Sequence, residues 1–149
     1  MTAIPSPPYV EFVIHSNFSF LRGASKPEEL VLTAFGLGYA GVGLADRNTV
    51  AGVVRGWSQS LNVDTAADGK PVAFDYHPGC RLVFADGTPD MLAYPRDRQG
   101  WGYLCRLLTE AKGRDDAEKG NPIVVRKNTL EWGDRMSLAM LPALASDPK

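Results

Sequence analysis

The sequence predicts an α/β fold built on parallel strands, and three observations carry that expectation. Two short runs, the β-branched Tyr9–Ile14 (broken only by Glu11) and the nearly all-apolar Ala40–Ala45, have the continuous hydrophobicity of buried strands. A helical pattern lies between them. Each run ends in polar residues, His15-Ser16-Asn17 and Asp46-Arg47-Asn48. A strand–helix–strand crossover of the usual right hand makes the two strands parallel and delivers both polar clusters to one sheet edge, where such folds build their sites.

The elements follow in chain order. Residues 1–8 carry three prolines and read as an extended lead-in to a domain spanning 9–149. Ser25-Lys26-Pro27-Glu28 reads as a capping box with proline just inside the helix start, so Ser25 is the expected N-cap. Leu30, Val31, Ala34, Phe35 and Leu37 then recur at helical spacing, and Gly36 and Gly38 stop the helix. Val50, Val53, Val54, Trp57 and Leu61 fall at helical spacing and predict a second helix over about 49–61. The stretch 62–70 reads as a loop. Val72–Phe74 and Arg81–Phe84 read as strands flanking a turn at His77-Pro78-Gly79. Asp86-Gly87-Thr88-Pro89 is a strong turn signal and Met91–Tyr94 a returning strand, giving a β-hairpin over 81–94. Arg98–Lys112 sets Trp101, Leu104, Cys105, Leu107 and Leu108 on one side of a third helix. A charged loop over 113–121, a short strand at 123–125, a helical turn at 130–132 and a last strand at Leu138–Leu141 complete the reading.

Composition narrows the function classes. Hydrophobic residues make up 44% of 149, an ordinary globular share that argues against wholesale disorder. With 16 basic and 17 acidic residues the net charge is −1, so there is no global electrostatic footprint for autonomous DNA binding. Cys80 and Cys105 stand 25 residues apart without a CxxC partner and read as buried thiols, not as a metal pair or disulfide, which suits a cytoplasmic setting. No apolar run approaches the roughly 20 residues a membrane-crossing helix needs, and the first eight residues are not a signal peptide.

The chemistry belongs at the strand ends. A hydrolytic metal site would want His and carboxylate ligands converging there, because imidazole and carboxylate together suit Zn²⁺ or Mn²⁺. The sequence offers His15 and Asp46. Beside them, Val13 cannot ligate and Arg47 repels a cation. The competing reading has His15 and Asp46 hydrogen-bonding and capping local turns. Nucleophilic catalysis finds no support: GxSxG is absent and neither cysteine has an adjacent histidine. Arg22, Arg47, Arg55 and Arg81 could each present a planar fork to phosphate. The competing reading pairs them with Asp46, Glu28 or other carboxylates. Phe18, Phe20, Phe35 and Trp57 read as core residues in preference to base-stacking platforms.

The run IHSNFSFLRGASKPEEL, followed by GVGLADRNTVAGVVRGW, resembles the opening of the C-family bacterial DNA polymerases, specifically the error-prone homologues of the polymerase III alpha subunit. The later segments PGCRLVFADGTPDMLAYPRDRQGWGYLCRLLT and AEKG…LEW are similar to the same subfamily, so the resemblance covers nearly the whole chain. That region is a PHP (polymerase and histidinol phosphatase) domain. The resemblance implies a partial, distorted β/α barrel with parallel strands and a hairpin insertion, and strand ends that in the family hold up to three metals. The family's His-x-His motif falls on Val13-Ile14-His15, its Asp-His motif on Asp46-Arg47, and a glutamate ligand position on Arg81. Only His15 and Asp46 are kept, while Val13, Arg47 and Arg81 stand at degenerate ligand positions. The resemblance thus implies a metal-poor, non-catalytic scaffold in which the arginines supply the charge an ion would have supplied. Mn or Zn would bind only if other residues complete the site, and Arg47 and Arg81 are candidate phosphate contacts.

The alternatives kept beside it are a metal-dependent phosphoesterase or 3′–5′ exonuclease, and a protein-interaction module for mutagenesis factors. A full C-family polymerase is far longer than this chain, so the chain reads as a fragment. The implied partners are the rest of the polymerase chain, other mutagenesis proteins, DNA through the full-length polymerase, and a second copy of this chain across an unpaired sheet edge.

Overall fold

A computed structural model describes residues 8–63, 72–84, 88–112 and the backbone of 136–140. The elements in order are β1 (Val10–Ile14), α1 (Pro27–Gly36), β2 (Gly41–Arg47), α2 (Val53–Ser60), β3 (Asp75–Leu82), β4 (Met91–Pro95), α3 (Arg98–Lys112) and β5 (Met136–Met140). They form one sheet in the order β1-β2-β3-β4-β5. The first three strands are parallel, and β3–β4 and β4–β5 are antiparallel. The α/β class, the parallel start and the hairpin are as the sequence predicts. The lead-in over 1–7, the turn residues 85–87 and the elements expected between 113 and 135 lie outside the described residues.

Three local expectations are corrected. The N-cap of α1 is Lys26, not Ser25. Pro27 at the first helical position drives its predecessor out of the helical region, and Lys26 is extended at φ −72°, ψ 152°. The carboxylate of Glu29 then accepts the Lys26 N–H at 2.8 Å, the half of a capping box that a lysine can still make.

His77-Pro78-Gly79 is not a turn but the middle of β3, and 72–74 carry no strand. Pairing runs unbroken from Gly41↔Asp75 to Arg47↔Arg81, while β4 joins β3 only from Cys80 onward. Pro78 therefore sits where β3 has a ladder neighbour on one side alone, the setting in which a strand tolerates a missing N–H. The hairpin is consequently no separate insertion: its first arm is the end of the third parallel strand.

The third correction concerns α2, whose Trp57 the sequence reads as core. Val54, Trp57 and Leu61 are exposed, whereas Val53, Gly56 and Ser60 face inward.

One face of the sheet carries the core. Val31 and Ala34 of α1 pack with Val42 and Val63, flanked by Ile14, Phe35, Phe74 and Tyr76. Leu104, Leu107, Leu108 and Ala111 of α3 pack on Cys80, Leu82, Phe84 and Ala93. Tyr76, Cys80 and Leu82 share a parity along β3, so both clusters lie on the same side of the sheet. The opposite side carries His77, Gly79 and Arg81 of β3 and Tyr94 of β4. Tyr94 lies flat across Gly79 and Gly43, where an added Cβ would collide with its ring and its hydroxyl respectively. Its hydroxyl donates to the Phe12 carbonyl of β1. Phe12 closes the group, its ring 5.5 Å from Tyr94 and 5.0 Å from His77 between centroids.

Candidate functional site at the strand ends

The parallel pairing brings the ends of β1 and β2 together, and the loop after β1 folds back over Asp46. Asp46 is 1% exposed. One carboxylate oxygen, Oδ1, accepts the Ser16 N–H at 2.7 Å and the Ser19 hydroxyl at 2.6 Å. The other, Oδ2, accepts the Ser16 hydroxyl at 2.6 Å. The Ser19 hydroxyl also accepts the Arg47 N–H at 3.0 Å, which ties the loop to the strand a second time. The loop is wound tightly enough to deliver both serines: Ser19 N–H donates to Ser16 O, and Arg22 and Gly23 N–H both donate to Ser19 O. A side chain on Gly23 would collide with the Ser16 carbonyl. Gly52, just ahead of α2, seals the Asp46 pocket from the other side. A Cβ there would lie 2.8 Å from Phe18, 2.9 Å from Pro27 and 3.3 Å from Asp46 Oδ2.

His15 stands at the end of β1, half-buried, and its Nε2 is buried without a hydrogen-bond partner. Its pKa is held below the ordinary 6.5, first by burial, then by the Arg81 cation, with Asp46 partly offsetting them. Arg81 forms an ion pair with Asp90 across the β3–β4 hairpin, Nη2 at 2.6 Å and Nε at 2.7 Å from the same carboxylate oxygen. Arg55 pairs with Glu28 at 2.6 Å between α2 and α1. The carboxylate-pairing alternative thus holds for Arg81 and Arg55, though with Asp90 as a partner the sequence reading did not name.

His15, Asp46, Arg47 and Arg81 all reach one edge of the sheet. Val13 is exposed on β1. The carboxylate of Asp46 is met by serine and backbone donors. Phe20 is corrected from core to solvent, 84% exposed at the tip of the loop after β1, and Trp57 joins it outside.

Missing from the sequence reading were Ser16 and Ser19 as carboxylate ligands, Asp90, and Asn48. The last holds φ 48° and uses its side chain as a strand extension: Oδ1 accepts the Val83 N–H at 2.8 Å and Nδ2 donates to the Val83 carbonyl at 3.2 Å. A polar residue tolerant of the left-handed region just past a strand was the available signal.

The described residues do not by themselves fit a metal of the kind the resemblance implies. Both Asp46 oxygens are taken, Arg47 follows it on β2 and faces Arg81 on β3, and the described residues hold no group of three or more His, Cys, Asp or Glu able to surround an ion. Nor is any described helix long and apolar enough to cross a membrane.

No family model matches the chain. It is 61% identical over 146 residues to the error-prone DNA polymerase of Mesorhizobium japonicum, covering 98% of this chain and 12% of that protein. It is 45% identical over 133 residues to error-prone DNA polymerase 1 of Rhizobium meliloti (89% and 11%), and 47% identical over 147 residues to the error-prone DNA polymerase of Brucella abortus (95% and 12%). The chain therefore spans about an eighth of the length of the curated relatives it matches.

Among solved structures, it superposes on a protein assigned as a metal-dependent phosphoesterase from Bifidobacterium adolescentis, with TM-score 0.54 and 23% identity over 73% of this chain and 35% of that one. It likewise matches an amidohydrolase from Chromobacterium violaceum, with bound sulfate and no metal, at TM-score 0.53 and 17% identity over 70% and 34%. At such identities these two establish the fold alone. Sequence and fold together place the chain with the error-prone DNA polymerases, as a segment of that family with the PHP-type phosphoesterase fold.

Proposed function

We propose that this chain is the N-terminal PHP domain of a polymerase acting in damage-induced DNA synthesis, and that it works there as a non-catalytic scaffold. The observation that carries the second part is the saturation of Asp46. A carboxylate that already accepts three short hydrogen bonds in a buried pocket must give up donors before it can ligate, and each abandoned buried donor costs about 1–3 kcal/mol. At the place where the resemblance implies a glutamate ligand stands Arg81, a guanidinium already paired with Asp90, which offers no lone pair to a metal. What the geometry does well is mechanical: it locks the β1–α1 loop to the end of β2 and the end of β3 to the hairpin. Its partners are then the remainder of the polymerase chain and, through it, DNA and other mutagenesis proteins, in the cytoplasm.

The rival reading, a metal-dependent phosphoesterase or 3′–5′ exonuclease, has one observation on its side, the partnerless buried Nε2 of His15. Calorimetric titration of the chain with Mn²⁺ and Zn²⁺ separates the two. The scaffold reading expects no stoichiometric binding at millimolar metal. Stoichiometric binding that is abolished in His15→Ala would overturn it and make phosphatase and exonuclease assays the next step.

A further inference from the structure

Helix α2 is built inside out. The face it turns to the sheet is small: Val53, Gly56 and Ser60. Gly56 is required there because a Cβ would run into the Tyr76 ring, whose hydroxyl donates to the Val53 carbonyl at 3.1 Å. The face it turns outward carries Val54, Trp57 and Leu61, which are 65%, 53% and 55% exposed. Their spacing of three and then four residues draws one straight seam down the helix, the pattern by which a helix packs against another helix. Large apolar side chains so arranged make a docking stripe, and tryptophan is the residue most enriched among those that dominate binding energy.

The surroundings narrow the occupant. The charged neighbour on α2, Arg55, is engaged with Glu28 of α1, and the other outward residue beside the stripe, Ser58, is neutral. An anionic lipid surface or nucleic acid would want free cations around the stripe, whereas a neutral apolar seam suits an apolar protein helix. The curated relatives carry most of their length outside the region this chain matches. We infer that the Val54–Trp57–Leu61 stripe is the seat for an amphipathic helix from the remainder of the polymerase polypeptide, packed within the same molecule. The assignment rests on the polymerase reading above and adds to it the surface through which the domain is held.

Site-specific photo-crosslinking tests it. A benzophenone amino acid replaces Trp57 in the full-length polymerase that contains this stretch, with Arg98 on the exposed side of α3 as the control position, and cross-linked peptides are identified by mass spectrometry. The expected product joins position 57 to a peptide beyond residue 149 of the same molecule, with a yield independent of protein concentration. Adding Val54→Asp and Leu61→Asp should lower that yield roughly tenfold, the effect of losing about 1.4 kcal/mol at a packed seam. Cross-links only between two molecules, only within residues 1–149, or no more than at position 98 would each overturn the inference. Primer extension by the unmodified full-length chain is measured in parallel: its absence would count against the polymerase reading, while the cross-link pattern still decides the seat of α2.

Discussion

At the scale of the residue, the strand-end site separates charge satisfaction from charge neutralisation. Asp46 keeps its place through three donors from a single loop. His15 has the opposite problem, a half-buried ring with a partnerless nitrogen and Arg81 for a neighbour. Because its pKa in the folded chain lies below the ordinary 6.5, the unfolded chain takes up the proton first as the pH falls. Stability therefore declines as pH drops through about 6.5 and levels off only below the depressed folded-state value. His15→Gln should flatten the urea-unfolding midpoint between pH 7 and 5, and an unchanged slope would show that other groups carry it. In NMR titration, Arg81→Gln should raise the His15 pKa, since it removes a cation and leaves the Asp90 carboxylate unpaired nearby. Cys80 is a further residue-scale case: burial pushes its thiol up to about 12, so it is a packing group of the α3 core and not a nucleophile.

At the scale of the element, the turn after β2 shows how one side chain can replace backbone. Asn48 sits at φ 48° and exchanges two hydrogen bonds with Val83, as a paired strand residue would, while its own N–H donates to the Arg81 carbonyl at 2.9 Å. Two contributions can be pulled apart by substitution. Asn48→Ala loses both side-chain bonds and keeps a Cβ in the left-handed region without the polar group that offsets it, for about 2–4 kcal/mol. Asn48→Gly loses the bonds but accepts the backbone, for about 1–2 kcal/mol. Glycine should thus be the milder change in denaturant unfolding. Alanine proving milder would mean that the φ value matters less than the turn's packing.

At the scale of the whole molecule, the side of the sheet opposite α1 and α3 is tied together by Tyr94. Its ring crosses β3 and β2 over two glycines and ends in a hydrogen bond to β1, so one residue of the antiparallel hairpin reaches the first parallel strand. Gly79→Ala should destabilise the chain by about 1–3 kcal/mol through overpacking against that ring. In a Tyr94→Ala background the same change should be close to neutral, a coupling of at least about 1 kcal/mol in a double-mutant cycle. Additive effects would mean that the ring does not depend on the glycine.

The sequence by itself determined the order and type of the main elements. Helix α3 was legible to its ends at Arg98 and Lys112, and the parallel β1–α1–β2 unit and the β3–β4 hairpin could be read, because periodicity, caps and turn residues are local properties of the chain. Family membership was legible in the same way, from runs of residues in order. The site was legible only in outline: His15, Asp46, Arg47 and Arg81 do meet at one edge, but which group answers which charge depends on partners distant in sequence. Ser16 and Ser19 reach Asp46 across 30 and 27 positions, and Asp90 reaches Arg81 through hairpin register. Pro78 read as a turn because the sequence does not state where a strand lacks its second neighbour. Trp57 on α2 read as core because spacing gives a helix but not the direction in which each side chain faces. Only the close approach of Gly56 to Tyr76 decided that the small face packs inward and that Val54, Trp57 and Leu61 face out.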